Sequence, residues 1–222
     1  MQQVREDFDR IALLSEHEAE FSPLDLNQLL SHVPKTCDRV LEVGCGFGTF
    51  TRLLAGRARS VTAIDLSPQM IRVARERAEG HDNLEFVLGD FLQMSLPGES
   101  FDCIVTIATL HHLPQEDALR KLKAALKPGG VLVIQDLLDD SSLTDKALDL
   151  VRLPILVARR FLNTGRPRTR RALRRAWTEH SKHDHHLTAK EVRRMRDEHF
   201  PGAHLRCHFF WRYTLVWRKK EN

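Results

Sequence analysis

The stretch "VLEVGCGFGTF", Val40 to Phe50, places Gly44, Gly46 and Gly48 directly after an apolar run and directly before a helix-like run. A strand that breaks at glycines and resumes as a helix offers the turn's backbone to a ligand. The alternation continues downstream. Short β-branched runs occur at "RVLEVG", "SVTAID", "LEFVLGD", "FDCIVTIA" and "VLVIQDLL", with amphipathic helical stretches between them. Strands apolar along their whole length and separated by helices predict a parallel sheet covered on both faces. The expected fold is therefore α/β and doubly wound.

Punctuation supports these elements. Ser67 is placed to cap a helix that has Pro68 at its first position. A later helix runs from about Pro114 and is stopped by "KPGG", with Gly129 suited to the left-handed position after it. Thr188 and Glu191 form a capping box for the last helix. The tail "AHLRCHFFWRYTLVWRKK" reads as two strands in a hairpin that turns near Trp211 and Arg212, hence an antiparallel edge. Between the fifth strand and the last helix the composition changes. That segment is expected to be helical, interrupted at Pro154 and at "NTGRP", Asn163 to Pro167.

A chain of 222 residues at 42% apolar composition suits one domain, 1–222. Residues 1–30 are expected to form an N-terminal helical cap, and 139–187 a helical, Arg-rich lid. The charged start "MQQVREDFDR" has no signal-peptide apolar region, and the longest uncharged apolar run is "LPILVA", Leu153 to Ala158. A cytoplasmic protein without a transmembrane segment is expected. Cys37, Cys45, Cys103 and Cys207 form no CxxC pair, which points to reduced thiols. Val151 to His180 holds nine Arg against one Glu, a local +8 in a chain of net charge +4, so the remainder sums to −4.

The glycine loop discriminates among ligands. A dinucleotide-binding turn needs glycine at the first, third and sixth positions, and here the sixth is Thr49. A P-loop needs Gly-Lys-Ser/Thr, which is absent. Glu42, two residues before the first glycine, disfavours an anion and suits an ammonium or sulfonium charge. Asp65 ends the second strand, where a carboxylate can accept two ribose hydroxyls. Asp90 ends the third, placed to accept from an adenine amino group, with Phe91 available to stack on the ring. Adenine, ribose and a cationic amino-acid tail together make S-adenosylmethionine.

The pieces "LEVGCGFG", "VTAIDLSPQMI", "LGDF", "FDCIVTIATLHHL" and "LKPGGVLVI", from about Arg39 to Leu138, resemble the class I S-adenosylmethionine-dependent methyltransferases, in the small-molecule-type methyltransferase-domain group. The resemblance implies a Rossmann-like, seven-stranded sheet, mostly parallel, with the last strand antiparallel beside the fifth. The cofactor residues expected are Glu42, Gly44, Cys45, Gly46, Gly48, Asp65, Leu66, Met70, Asp90, Phe91 and Ile107. Cys45 is expected to act through its backbone, and Met70 to pack against the adenine side or the core.

Methyl transfer is an in-line displacement, and a protic nucleophile needs a base near neutral pKa. His111 and His112, after the fourth strand, are the catalytic candidates. The run "HSKHDHH", His180 to His186, lacks thiolates and matches no zinc spacing, so no metal site is expected. The arginines of "GRPRTRRALRR" read as a solvated helix face, a lid for an anionic acceptor, or a nucleic-acid or membrane-surface patch. The expected partner is a small-molecule acceptor, anionic or hydrophobic. An RNA methyltransferase and a catalytically silent cofactor-binding subunit are the alternatives.

Overall fold

In the computed structural model, which describes residues 1–15, 23–139, 143–164 and 171–221, seven strands form one sheet. β1 (Cys37–Val43), β2 (Ala58–Asp65), β3 (Leu84–Leu88), β4 (Phe101–Ile107) and β5 (Leu126–Leu137) pair in parallel. β6 (His204–His208) and β7 (Arg212–Arg218) are the C-terminal hairpin. The order is β3-β2-β1-β4-β5-β7-β6, with β7 antiparallel between β5 and β6. The chain leaves β1 toward β2 on one side and returns to β4 on the other. That reversal opens a crevice beyond the carboxyl ends of β1 and β4.

Both sheet faces are buried, which is why the strands read as unbroken apolar runs. Leu41, Val43, Ile104, Leu132 and Ile134 pack under α5 (Gln115–Ala125) and α8 (Ala189–His199), through Leu119, Leu122, Val192 and Met195. The alternate residues Val40, Val61, Cys103, Val105 and Val133 meet α2 (Pro23–Leu30) and α3 (Thr49–Leu54) through Leu26, Leu29, Phe50 and Leu54. Each such side chain contributes about 1.5–3 kcal/mol relative to exposure. Ser67 caps α4 (Pro68–Arg77) by accepting from the Met70 N–H at 3.0 Å. The Thr188–Glu191 capping box opens α8 as expected.

Two expectations are corrected. Gly129 does have φ +74°, but α5 already ends at Ala125 and "KPGG" belongs to β5. Its N–H donates to Lys219 O beyond β7, so the glycine shapes a strand irregularity rather than a helix end. Pro154 lies inside α6 (Leu143–Thr164) without ending it. The ring removes one i→i−4 hydrogen bond there. α6 is tied to the hairpin: Asp149 accepts from the Trp211 indole at 3.2 Å, and Arg152 lies over the Phe209 and Trp211 rings. These contacts hold Trp211 at φ +40°, the left-handed conformation that the turn needs and that no glycine supplies. Outward, α6 leaves Leu150, Val151, Leu153, Phe161 and Leu162 exposed.

α1 (Gln2–Ser15) and α7 (Arg171–His180) pack together over the crevice. Asp9 of α1 accepts from the Ser67 hydroxyl at 2.6 Å, fixing α1 to the start of α4.

Candidate functional site: a cavity at the strand ends

The carboxyl ends of β1, β2 and β4 border a cavity of about 240 Å³, closed from above by α1 and α7. The loop after β1 is shaped by close approach. Gly44 has φ +76°, and a Cβ on it would lie 2.0 Å from Thr109 Oγ1, so any side chain would collide with the end of β4. Ile64 O accepts from both the Gly44 and Cys45 N–H groups. Asp65 then fixes the loop from below: Oδ2 accepts from Gly46 N at 2.8 Å and Oδ1 from Ser67 N at 2.9 Å. Burial raises the Asp65 carboxyl above the usual carboxylate range, against the lowering effect of the Ser67, Gly46 and Leu66 N–H groups. Each oxygen retains a lone pair for a ligand hydroxyl.

Of the eleven residues expected to bind cofactor, ten border this cavity. Gly48 does not. A Cβ on it would meet the Phe86 ring at 3.0 Å and Ala74 at 3.1 Å, so its place is helix-to-sheet packing behind the loop. Glu42 is buried and accepts from the Thr51 hydroxyl at 2.5 Å. Asp90 accepts from Leu92 N at 2.9 Å through Oδ1, so it shapes its own turn as well as bordering the cavity. Met70 borders the cavity and also packs into the core with Ile11 and Phe47.

The other end of the cavity joins residues that lie far apart in sequence. Ala108 follows β4 at φ +50°, a left-handed conformation rare for a residue with a Cβ, and a short 3₁₀ turn, Leu110–His112, comes next. Asp136 of β5 accepts from the His111 backbone N–H at 2.9 Å and pairs with its Nδ1 at 2.6 Å. His112 Nδ1 lies 3.4 Å from Asp184. His180 Nε2 is 3.8 Å from the other Asp184 oxygen, and His180 Nδ1 is 3.4 Å from Asp7 of α1. The His111 and His112 rings are 3.8 Å apart, those of His112 and His180 4.9 Å, and those of His111 and His186 4.8 Å. Burial, together with His111, His180 and His186, pushes the His112 pKa down to about 2. Burial and His111 lower His186 too.

His180 and His186 thus join His111 and His112, distant in sequence, in one cluster, while His185 stays exposed and the His183 side chain lies outside the described residues. Sequence reading missed Asp136, Asp7, Phe8 and Trp177. Asp136 left a trace, a carboxylate inside the apolar run "VIQDLL". Among the described residues no arginine borders this cavity. Arg171, Arg174 and Arg175 lie exposed on α7, whose inner face is Leu173, Ala176 and His180, and residues 165–170 of the Arg-rich run lie outside the described residues.

Residues 40–130 match a family model described as "Methyltransferase domain". Over those residues the chain is similar to methyltransferase domains. It is 36% identical over 101 residues to a malonyl-[acyl-carrier protein] O-methyltransferase of Serratia marcescens, covering 45% of this chain and 38% of that protein. It is 34% identical over 120 residues to a ubiquinone biosynthesis O-methyltransferase of Xanthomonas campestris, covering 52% and 50%. The chain thus matches half or less of these relatives' lengths. The N-methyltransferase NodS from Bradyrhizobium japonicum, solved with S-adenosyl-L-homocysteine, shares the fold with TM-score 0.64 and 20% identity, over 99% of this chain and 98% of that one.

The lining of the cavity fits the S-adenosylmethionine expected from the sequence. Glu42, Asp65 and Asp90 are on its wall beside the glycine loop, and the described wall includes no lysine or arginine. A cationic ligand is favoured there and a phosphate is not. No helix among the described residues is long and apolar enough to cross a membrane.

Proposed function

We propose that the protein transfers a methyl group from S-adenosylmethionine to a small acceptor with an apolar body and a protic nucleophile. The carrying observation is the cavity wall, carboxylate-bearing and without lysine or arginine at one end, and walled by histidines and by Phe8, Leu113, Leu137 and Trp177 at the other. That wall argues against an anionic acceptor and for a hydrophobic one. The two relatives named above are described as O-methyltransferases, which supports an oxygen nucleophile.

S-adenosylmethionine supplies a methyl carbon already activated by the positive sulfur. Asp65 and Asp90 would hold the ribose and adenine, while Glu42 faces the cationic tail. α1 and α7 then enclose the acceptor through Phe8 and Trp177. Holding two reactants at near-attack distance supplies several kcal/mol of the barrier. Asp136 holds His111 with Nδ1–H toward its carboxylate, leaving Nε2 to take the proton that a hydroxyl gives up as it attacks. His112, held neutral far below neutral pH, is the poorer base.

Calorimetry with S-adenosylhomocysteine is the first test, followed by incubation with S-adenosylmethionine and a panel of phenols, thiols and amines. A 14-dalton gain on an acceptor, matched by S-adenosylhomocysteine release, is expected. Absence of S-adenosylhomocysteine binding at millimolar concentration would falsify the assignment.

A further inference from the structure

We propose that His111, His112 and Asp184 hold a divalent first-row transition metal at the acceptor end of the cavity. One donor atom from each residue lies within 4.8 Å of the other two. Ligands of a tetrahedral ion sit about 3.4 Å apart, given metal bonds of about 2.0–2.2 Å. Closing the set therefore takes side-chain shifts of about 1 Å.

Three observations favour an ion over a polar lining. The first is burial. The side chains of His111, His112 and Asp184 are 5%, 7% and 8% exposed, and polar groups so enclosed need partners. His186 Nδ1, whose ring packs edge-on to His111, is buried with no hydrogen-bond partner among the described residues. The second is the outer ring of carboxylates. Asp136 on His111 Nδ1 is the carboxylate–histidine arrangement that orients a metal ligand and leaves Nε2 toward the ion. Asp184 is braced in turn by His180, which Asp7 approaches from α1. The third is donor chemistry. Two imidazoles and one carboxylate, without thiolate, suit Zn(II), Fe(II), Co(II) or Ni(II), whereas Mg(II) and Ca(II) prefer oxygen throughout.

Three protein ligands leave a coordination position for an acceptor oxygen, where the nucleophile must meet the methyl group. This inference rests on the methyltransferase reading of the cavity. A bound ion would take over from His111 the task of lowering the acceptor's pKa. The run "HSKHDHH" matched no metal spacing because it contributes one ligand, Asp184, while the other two come from the end of β4.

The test uses the 222-residue chain stripped with chelator and titrated with Co(II), read by visible absorption and calorimetry. One equivalent should bind, with the d–d bands of a four- or five-coordinate ion. Asp184→Asn and His112→Gln should each weaken Co(II) by about tenfold or more. Their S-adenosylhomocysteine affinity should stay within about twofold of the wild type, which reports an intact fold and cofactor end. Substoichiometric Co(II) in the wild-type chain, or undiminished binding in both variants, overturns the site. Neither readout needs an acceptor. Stoichiometric Co(II) without methyl transfer therefore supports the metal site while counting against the proposed function, and transfer undiminished by chelator together with absent Co(II) binding does the reverse.

Discussion

Asp136 receives both the main chain and the ring of His111, the N–H at 2.9 Å and Nδ1 at 2.6 Å. One carboxylate on β5 therefore sets the position and the tautomer of a side chain at the end of β4. Asp136→Asn keeps the size and loses the charge, so turnover should fall about 10²-fold or more while the Michaelis constant for cofactor stays the same. His111→Gln should fall at least as far. Steady-state kinetics at saturating cofactor check both, and an equal rise in cofactor Michaelis constant would place the pair in the cofactor pocket instead.

Asp65 carries two backbone bonds and faces the cavity. Asp65→Ala should weaken S-adenosylhomocysteine by about 1.5–3 kcal/mol, the worth of hydrogen bonds to a charged group, with part of that loss coming from a loosened Gly46. Calorimetry on a variant with an unchanged far-UV spectrum checks the value. Unchanged affinity removes Asp65 from the site.

Gly44 and Thr109 make a sharper case. Gly44→Ala should abolish measurable cofactor binding, because the new methyl would sit where Thr109 Oγ1 is. Adding Thr109→Ala should restore only part of it, since φ +76° still strains an alanine. Full recovery would show that the clash alone matters.

The exposed arginines of α7 give a prediction of no effect. Replacing Arg171, Arg174 and Arg175 together by Gln should leave S-adenosylhomocysteine affinity and small-acceptor turnover unchanged, because these side chains point away from the cavity wall. A gel shift with bulk tRNA at low and high salt is the companion measurement. Binding that is steeply salt-dependent and lost in the variant would revive the RNA reading.

Asp102 joins the starts of β1 and β4. It accepts from the Asp38 and Arg39 N–H groups at 3.0 and 2.8 Å and from Lys127 Nζ at 2.6 Å. Burial alone would raise its carboxyl; the Lys127 ammonium and the two N–H groups outweigh that and hold it below the usual range. A depressed folded pKa means that the unfolded chain binds more protons at mildly acidic pH. The stabilisation is thus fully present above about pH 4, the unfolded value, and is lost as pH falls through the folded one. Asp102→Asn should cost about 1–2 kcal/mol at pH 7, and the gap to wild type should close as denaturation curves are taken below about pH 4.

The sheet was legible because its central strands β1, β4 and β5 are buried on both faces, so their apolar runs are unbroken. That Glu42, Asp65 and Asp90 border one cavity was legible because each stands at or just past the carboxyl end of a strand. Gly48 was misplaced because a glycine that makes room for Phe86 looks, in sequence, like one that makes room for a ligand. The acceptor end was not legible. Nearly seventy residues, among them α5, β5 and α6, separate His112 from His180, and the packing of α7 on α1 together with the Leu138–Leu187 bridge brings "HSKHDHH" back over the end of β4. Pro154 was overread, since a helix tied to a hairpin by Asp149 and Arg152 tolerates one missing hydrogen bond.

The insertion of β7 between β5 and β6 has a consequence in time. During synthesis β5 is complete about seventy-five residues before its antiparallel neighbour begins, a wait of about 4–15 seconds at ordinary elongation rates of about 5–20 residues per second. Throughout that wait the strand bearing Asp136 presents a bare edge to other chains. The part of the sheet that carries the glycine loop, β1 to β4, can assemble during it, whereas His111 rests on a strand whose second flank arrives last. Ribosome-bound chains halted before Arg212 should accordingly recover the adenosine pocket earlier than the acceptor pocket.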